Sequence, residues 1–143
     1  MPRKLSSLGA ATDDPLEIVA RARKEAEKAI RDNDRLGLRQ AANKGYLAAA
    51  SVADVAAMKL GEVQPKGQTA RRSVLSNLED AARLKRGSLL RTFSVAQGVL
   101  HSDCFHEDYC PSGKSLLAIL DTVEAMADDA VKAYGRLRTR RKK

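Results

Sequence analysis

The chain has 143 residues and a formal net charge of +8, with 26 Lys and Arg residues against 18 Asp and Glu residues. Its composition, 43% hydrophobic and 31% charged, is sufficient for the core of one globular domain and excludes a wholly disordered chain. There is no apolar run long enough for a membrane span, no recognisable secretory signal, and too few cysteines for a disulfide scaffold. These observations predict a cytoplasmic protein.

The first two predicted helices have clear start and stop signals. Asp13-Asp14-Pro15 supplies a capping carboxylate and a proline suited to the first turn, and predicts a helix that continues to about residue 31. A second helix is expected over about 36–60, ending at Gly61. Its centre is rich in small residues, which allow a neighbouring helix to approach closely. Residues 1–12 are predicted to be a flexible N-terminal segment.

Three further apolar segments complete the pattern. Apolar residues at helical spacing predict a third helix over about 69–85 and a fourth segment over about 89–100. A loop is expected over 102–112, followed by a last helix over about 114–136. We therefore predict an all-α protein, in which residues 13–135 form an antiparallel bundle of four to five helices.

The positive charge is concentrated at the C-terminus. Residues 136–143 contain six basic residues and no acid, whereas residues 5–135 are formally neutral. A basic tail attracts RNA, DNA or anionic lipid without sequence preference. A tail that only improves solubility is the alternative. The predicted nucleic-acid contacts are Arg136, Arg138, Arg140, Arg141, Lys142 and Lys143.

Both histidines and both cysteines of the chain lie within ten residues, at His101, Cys104, His106 and Cys110. Imidazole and thiolate are ligands that zinc prefers, so these four residues are a candidate metal site. Their spacing differs from the usual zinc signatures, and no cofactor is otherwise expected. Two alternatives remain: a short disulfide between Cys104 and Cys110, or cysteines that only pack as small buried side chains, which we favour. His101 can also act as an acid or base, or only stabilise a helix C-terminus.

Gly113-Lys114-Ser115 resembles the end of a phosphate-binding P-loop but does not complete that pattern. The P-loop needs a glycine where this chain has Asp108, and no strand precedes the segment. A single phosphate at the start of the last helix is the remaining expectation. The sequence therefore gives no indication of a nucleoside triphosphatase.

Two stretches resemble the HEPN superfamily of small helical bundles. One is the alanine-rich run from Ala41 to Ala50, with an aromatic residue and a terminal glycine at Gly61. The other is Leu100-His101 followed by Phe105-His106-Glu107, before the long last helix. Together the matching regions span about residues 41–61 and 93–134.

This resemblance implies a helical bundle, often dimeric, that cleaves RNA, binds nucleotides, or acts as a toxin or scaffold. Active members carry an arginine five to seven positions before a histidine, and the two residues act on the RNA phosphate and 2′-hydroxyl. In this chain Arg91 stands ten positions before His101, nearly three turns or roughly 15 Å along a helix. Catalysis is therefore not carried over, and the candidates in a nuclease would be His101, His106 and Arg91.

Three functions follow from these observations. The one we favour is a non-catalytic bundle that binds nucleic acid, RNA before DNA, or a protein partner, with the basic tail adding affinity. The resemblance to HEPN proteins suggests a homodimer. The second is a HEPN-type ribonuclease centred on His101 and His106. The third is a metal-binding bundle that uses the loop 101–110, with zinc as the expected ion.

Overall fold

The computed structural model describes residues 14–142, with side chains as far as Leu137. Within that range the chain is entirely helical apart from its connections, which confirms the predicted all-α bundle. The predicted flexible segment 1–12 lies outside the described residues. The helices are α1 (Pro15–Arg31), α2 (Arg35–Leu60), α3 (Gln68–Ala81), α4 (Ser88–Val95) and α5 (Gly113–Lys142), and a π-helical segment (Ala96–His106) continues α4.

The ends of α1 and α2 have the local signals that the sequence predicts. The Asp14 carboxylate accepts a hydrogen bond from the backbone N–H of Leu16 at 2.9 Å, and Pro15 occupies the first turn. Asp34 caps α2 in the same way, by accepting from the N–H of Gly37 at 2.9 Å. Gly61 ends α2 with φ +73°, a left-handed conformation that glycine adopts without steric cost.

Helices α2 and α5 run in the same direction, and α1 runs antiparallel to both. Gly113 at the start of α5 lies beside Ile30 at the end of α1, and further along Arg23 of α1 forms an ion pair with Asp121 of α5. The turn of three residues between α1 and α2 also makes these neighbours antiparallel. As a result, α2 and α5 begin at the same end of the bundle.

Helix α2 lies at the centre of the core, and its small residues allow the close approach that the sequence predicts. Eight of its alanines are buried. A Cβ atom added at Gly45 would lie 2.4 Å from Cδ2 of Leu120, so glycine is needed for α5 to pack at this point. Nearer the other end, the buried Tyr134 hydroxyl of α5 donates to the Val52 carbonyl of α2 at 3.0 Å, and burial raises the pKa of Tyr134.

Three predicted boundaries differ from the structure. The third helix, expected to continue to about residue 85, ends at Ala81. The expected loop over 102–112 begins only after His106, because the π-helical segment continues through residues 102–106. The last helix extends to Lys142, beyond its expected end at about residue 136. Leu137 is buried, so the predicted tail, which begins at residue 136, starts within the packed bundle. None of the described helices is both long and apolar enough to cross a lipid bilayer.

Candidate functional site: a histidine cluster and a basic end

His101 and His106 lie side by side because the segment that carries them is a π-helix. In an α-helix, residues five positions apart point about 140° away from each other. In a π-helix the hydrogen bond joins residues five apart, so these residues lie one above the other. The backbone N–H of Glu107 donates to the Ser102 carbonyl at 3.1 Å in this pattern. The Nε2 atoms of the two histidines are consequently 3.2 Å apart.

Helix α2 fixes the ring of His101 on its other side. His101 Nδ1 is 2.9 Å from the side-chain oxygen of Asn43, which can only accept, so Nδ1 carries the proton. The ring also stacks on Tyr46, with 4.3 Å between ring centroids. Asn43 and Tyr46 therefore set both the tautomer and the plane of His101. We call Asn43, Tyr46, His101, Phe105 and His106 the histidine cluster.

The environment of His101 favours its neutral form. Burial lowers the pKa of His101, and the nearby His106 lowers it further. With its proton on Nδ1, neutral His101 has an unprotonated Nε2 that faces His106. His106 itself is exposed. The lone pair on His101 Nε2 is therefore directed at His106 Nε2, 3.2 Å away, from which it can accept a hydrogen bond, and it can also accept a proton or bind a metal ion.

Two arginines of α2 hold the loop that follows the π-helical segment. Arg39 donates to the Phe105 carbonyl through Nη2 at 2.7 Å, and its Nε is 3.7 Å from the Asp108 carboxylate. Arg35 donates to Asp108 at 2.8 Å, and this hydrogen bond lowers the pKa of the Asp108 carboxyl. The guanidinium of Arg39 is thus occupied by protein groups.

The two cysteines form a disulfide, with 2.00 Å between the sulfur atoms of Cys104 and Cys110. It joins the buried end of the π-helical segment to the loop over 107–112. The preferred interpretation, cysteines that only pack, is therefore wrong, and the disulfide alternative is the one formed. In this structure the sulfurs are bonded to each other, so His101, Cys104, His106 and Cys110 do not converge as four ligands. Disulfides persist mainly in oxidising compartments, so the cytoplasmic location stays a prediction.

The structure does not bring Arg91 to the histidines. Arg91 is exposed on α4, and its Nη1 lies beside Gly87, where a Cβ atom would be 3.1 Å away. It therefore points toward the start of α4, whereas His101 lies beyond the end of that helix. Sequence spacing could not have revealed the residues that do contact His101, although Asn43 is a polar residue within an alanine-rich helix.

The opposite end of the bundle is basic. Here Arg136 of α5 donates through Nη1 to the Ala82 carbonyl at 3.0 Å, which joins α5 to the connection between α3 and α4. That connection contains three exposed basic residues, Arg83, Lys85 and Arg86. Beyond Arg136 the helix backbone continues through Arg138, Arg140, Arg141 and Lys142, while Lys143 lies outside the described residues. We call Arg83, Lys85, Arg86, Arg91, Arg136 and residues 138–142 the basic end.

A buried carboxylate shapes the basic end from inside. Glu79 is only 1% exposed, and its carboxylate accepts from the backbone N–H groups of Gly87 and Leu89 at 2.7 and 2.8 Å. It also accepts from Leu90 at 3.1 Å. Glu79 thereby caps α4 from the preceding helix and fixes the connection that carries the basic residues. No motif in the sequence marks Glu79 as a capping residue.

The start of α5, where the sequence suggested a site for a single phosphate, has a simple structural role. The Ser112 hydroxyl accepts from the backbone N–H of Ser115 at 3.2 Å, so the chain caps the start of α5 with its own side chain.

Comparison of the chain with family models, with curated proteins and with solved structures finds no match in any of the three.

Proposed function

We infer that this protein binds nucleic acid, RNA before DNA, through the basic end of its bundle. The observation that carries this proposal is the contact of Arg136 with the Ala82 carbonyl. It joins a loop with three exposed cations to a helix end in which five of the seven residues 136–142 are basic. We propose that the cations of this loop and those that follow Leu137 in the sequence act together as one binding surface, where the sequence alone suggested a separate tail.

The charge distribution along α5 supports this assignment. The acids of this helix lie at residues 121–129, and no acid follows Asp129 in the sequence. Asp121 and Glu124 contact Arg23 of α1. These contacts lie near the middle of α5, whereas residues 130–143 of the sequence contain no acid. A positive surface of this kind binds phosphate backbones by releasing counterions.

The ribonuclease alternative has less support at the histidine cluster. Cleavage of a phosphodiester needs a cation to stabilise charge on the phosphate, besides an acid and a base. Among the described residues, the guanidinium placed at this cluster is that of Arg39, and it already donates to the Phe105 carbonyl. Arg91 points toward the other end. Binding without cleavage is therefore the function we propose.

The test is binding of a fluorescent single-stranded RNA to the full chain across a salt series. Two variants remove charge and keep the packed residues through Leu137: one replaces Arg138, Arg140, Arg141 and Lys142 by Gln, the other Lys85 and Arg86. We expect the first to flatten the slope of log K against log salt by up to about 3, and the second by about 1.4, since each lost phosphate contact contributes about 0.7.

The matched control replaces two exposed cations at the opposite end, Arg31 and Lys114, by Gln. Its RNA affinity should equal that of the full chain. The proposal is wrong if the control loses as much affinity as the Lys85/Arg86 variant, or if the full chain does not bind. RNA that is shortened by the wild type and left intact by His101→Gln would establish the ribonuclease instead.

A further inference from the structure

The histidine cluster has the geometry of a metal site that does not involve the cysteines. We propose that His101 and His106 together bind one divalent transition-metal ion, zinc before the others, through their Nε2 atoms. This site is independent of the basic end and of the nucleic-acid binding proposed above. It differs from the four-ligand site suggested by the sequence, because the two sulfurs are joined in a disulfide.

The first argument is the spacing of the two nitrogens. Zinc–nitrogen bonds of about 2.0–2.1 Å place two ligand nitrogens about 3.3 Å apart at a tetrahedral angle and about 2.9 Å apart at a right angle. The Nε2 atoms of His101 and His106 are 3.2 Å apart, within this range. The ion can therefore be accommodated between the rings with little movement of the π-helical segment. The exposed position of His106 gives the ion access from solvent.

The second argument is the group behind His101. Histidines that bind metals usually donate their other ring N–H to an oxygen, which fixes the tautomer and directs the free nitrogen at the ion. Asn43 provides this oxygen, 2.9 Å from Nδ1 of His101. Stacking on Tyr46 also holds the ring. When the ion binds, His106 keeps its proton on Nδ1, and both ligands are neutral imidazoles.

The remaining coordination positions are open. Within residues 14–142, no group of three or more His, Cys, Asp and Glu side chains is arranged to hold a metal, so the protein supplies two ligands. Water completes the coordination shell. A zinc ion with open positions binds oxygen anions as well as water, whereas structural zinc has four protein ligands. Affinity should fall at acid pH because protons compete for the imidazoles.

The test is titration of the full, disulfide-bonded chain with Co²⁺, followed by absorption spectroscopy, and competition with Zn²⁺. We expect one ion per chain and no thiolate-to-cobalt charge-transfer band. The variant His106→Gln should weaken binding at least tenfold, and circular dichroism should confirm that it folds, since His106 is exposed. Asn43→Ala should weaken binding by 10–100-fold, through loss of the oxygen that orients His101.

Two controls distinguish this site from its alternatives. Glu107→Gln changes an exposed neighbour of His106 and should bind cobalt and zinc as the wild type does. The double variant Cys104→Ala, Cys110→Ala should also keep its metal. The proposal is overturned if the wild type binds no ion, if His106→Gln binds as tightly as the wild type, or if the double cysteine variant loses the metal.

Discussion

The two ends of the bundle are about 35 Å apart along α5, and each is shaped by a connection that is fixed in its own way. At the basic end, the connection between α3 and α4 is organised by the Glu79 carboxylate, which accepts three backbone hydrogen bonds. At the other end, the loop over 107–112 is held by a disulfide and by Arg35 and Arg39. The connection at the basic end is therefore fixed by a buried carboxylate. The loop at the other end is fixed in part by a disulfide, which a reductant can break.

The difference implies that the two ends respond to different conditions. Removing the buried charge should disturb α4 and the basic surface, whereas reduction should act on the loop beside the histidine cluster. Low pH should act at the histidine cluster by protonating His101. Three perturbations can therefore test whether the ends are independent.

The largest effect is expected for Glu79→Ala. The substitution leaves three N–H groups at the start of α4 without their acceptor, and the one on Leu89 is buried. We expect the free energy of unfolding to fall by about 3 kcal/mol, measured by urea denaturation. The control is Asp80→Ala, an exposed neighbour, which should change stability by less than about 0.5 kcal/mol. Equal effects of the two substitutions would mean that Glu79 does not cap α4.

An intermediate effect is expected when the disulfide is removed. Cys104 and Cys110 are six residues apart, and closing so short a loop stabilises the folded state by about 2 kcal/mol in the chain-entropy account. Denaturation with and without a reductant should show this difference, and the double cysteine-to-alanine variant should show none. RNA affinity at the basic end should be the same in both conditions. A reductant that abolishes RNA binding would contradict the independence of the two ends.

The smallest effect is the dependence of stability on pH through His101. The pKa of His101 is lowered in the folded protein from its ordinary value of 6.5, so below that pH the unfolded chain binds a proton that the folded chain does not. This contribution to stability is complete above pH 6.5 and is lost as the pH falls toward the folded pKa.

Thermal melts between pH 7.5 and 5 can measure this contribution. His101→Gln should remove part of the acid destabilisation, whereas His106→Gln should retain most of it, because burial is the larger cause of the His101 shift. If the two variants and the wild type show parallel pH profiles, His101 is not the group responsible.

Much of the fold could be predicted from the sequence because the signals for it are local. The Asp14 cap and the glycine at Gly61 act within one turn of the helices that they bound. Apolar residues at helical spacing also located all five helices, with errors of a few residues at their ends. The close packing around Gly45 follows from the small residues of α2, although the sequence does not identify Leu120 as its neighbour.

The candidate sites, in contrast, depend on contacts between residues that are distant in sequence. His101 is oriented by Asn43, 58 residues earlier, and the basic loop meets Arg136, 54 residues beyond Ala82. The π-helical segment that pairs His101 with His106 was not predicted, because residues 102–112 were expected to form a loop.

The sequence by itself therefore determined where the five helices lie, where α1 and α2 end, and that the chain is positively charged at its C-terminus. Only the tertiary structure decided that the cysteines are bonded, that the histidines are paired, and that Arg136 contacts the connection between α3 and α4. The physical reason is the distance along the chain over which each kind of interaction acts. Capping and periodicity act over about four residues, whereas burial and long-range hydrogen bonds select among local alternatives only when the bundle has formed.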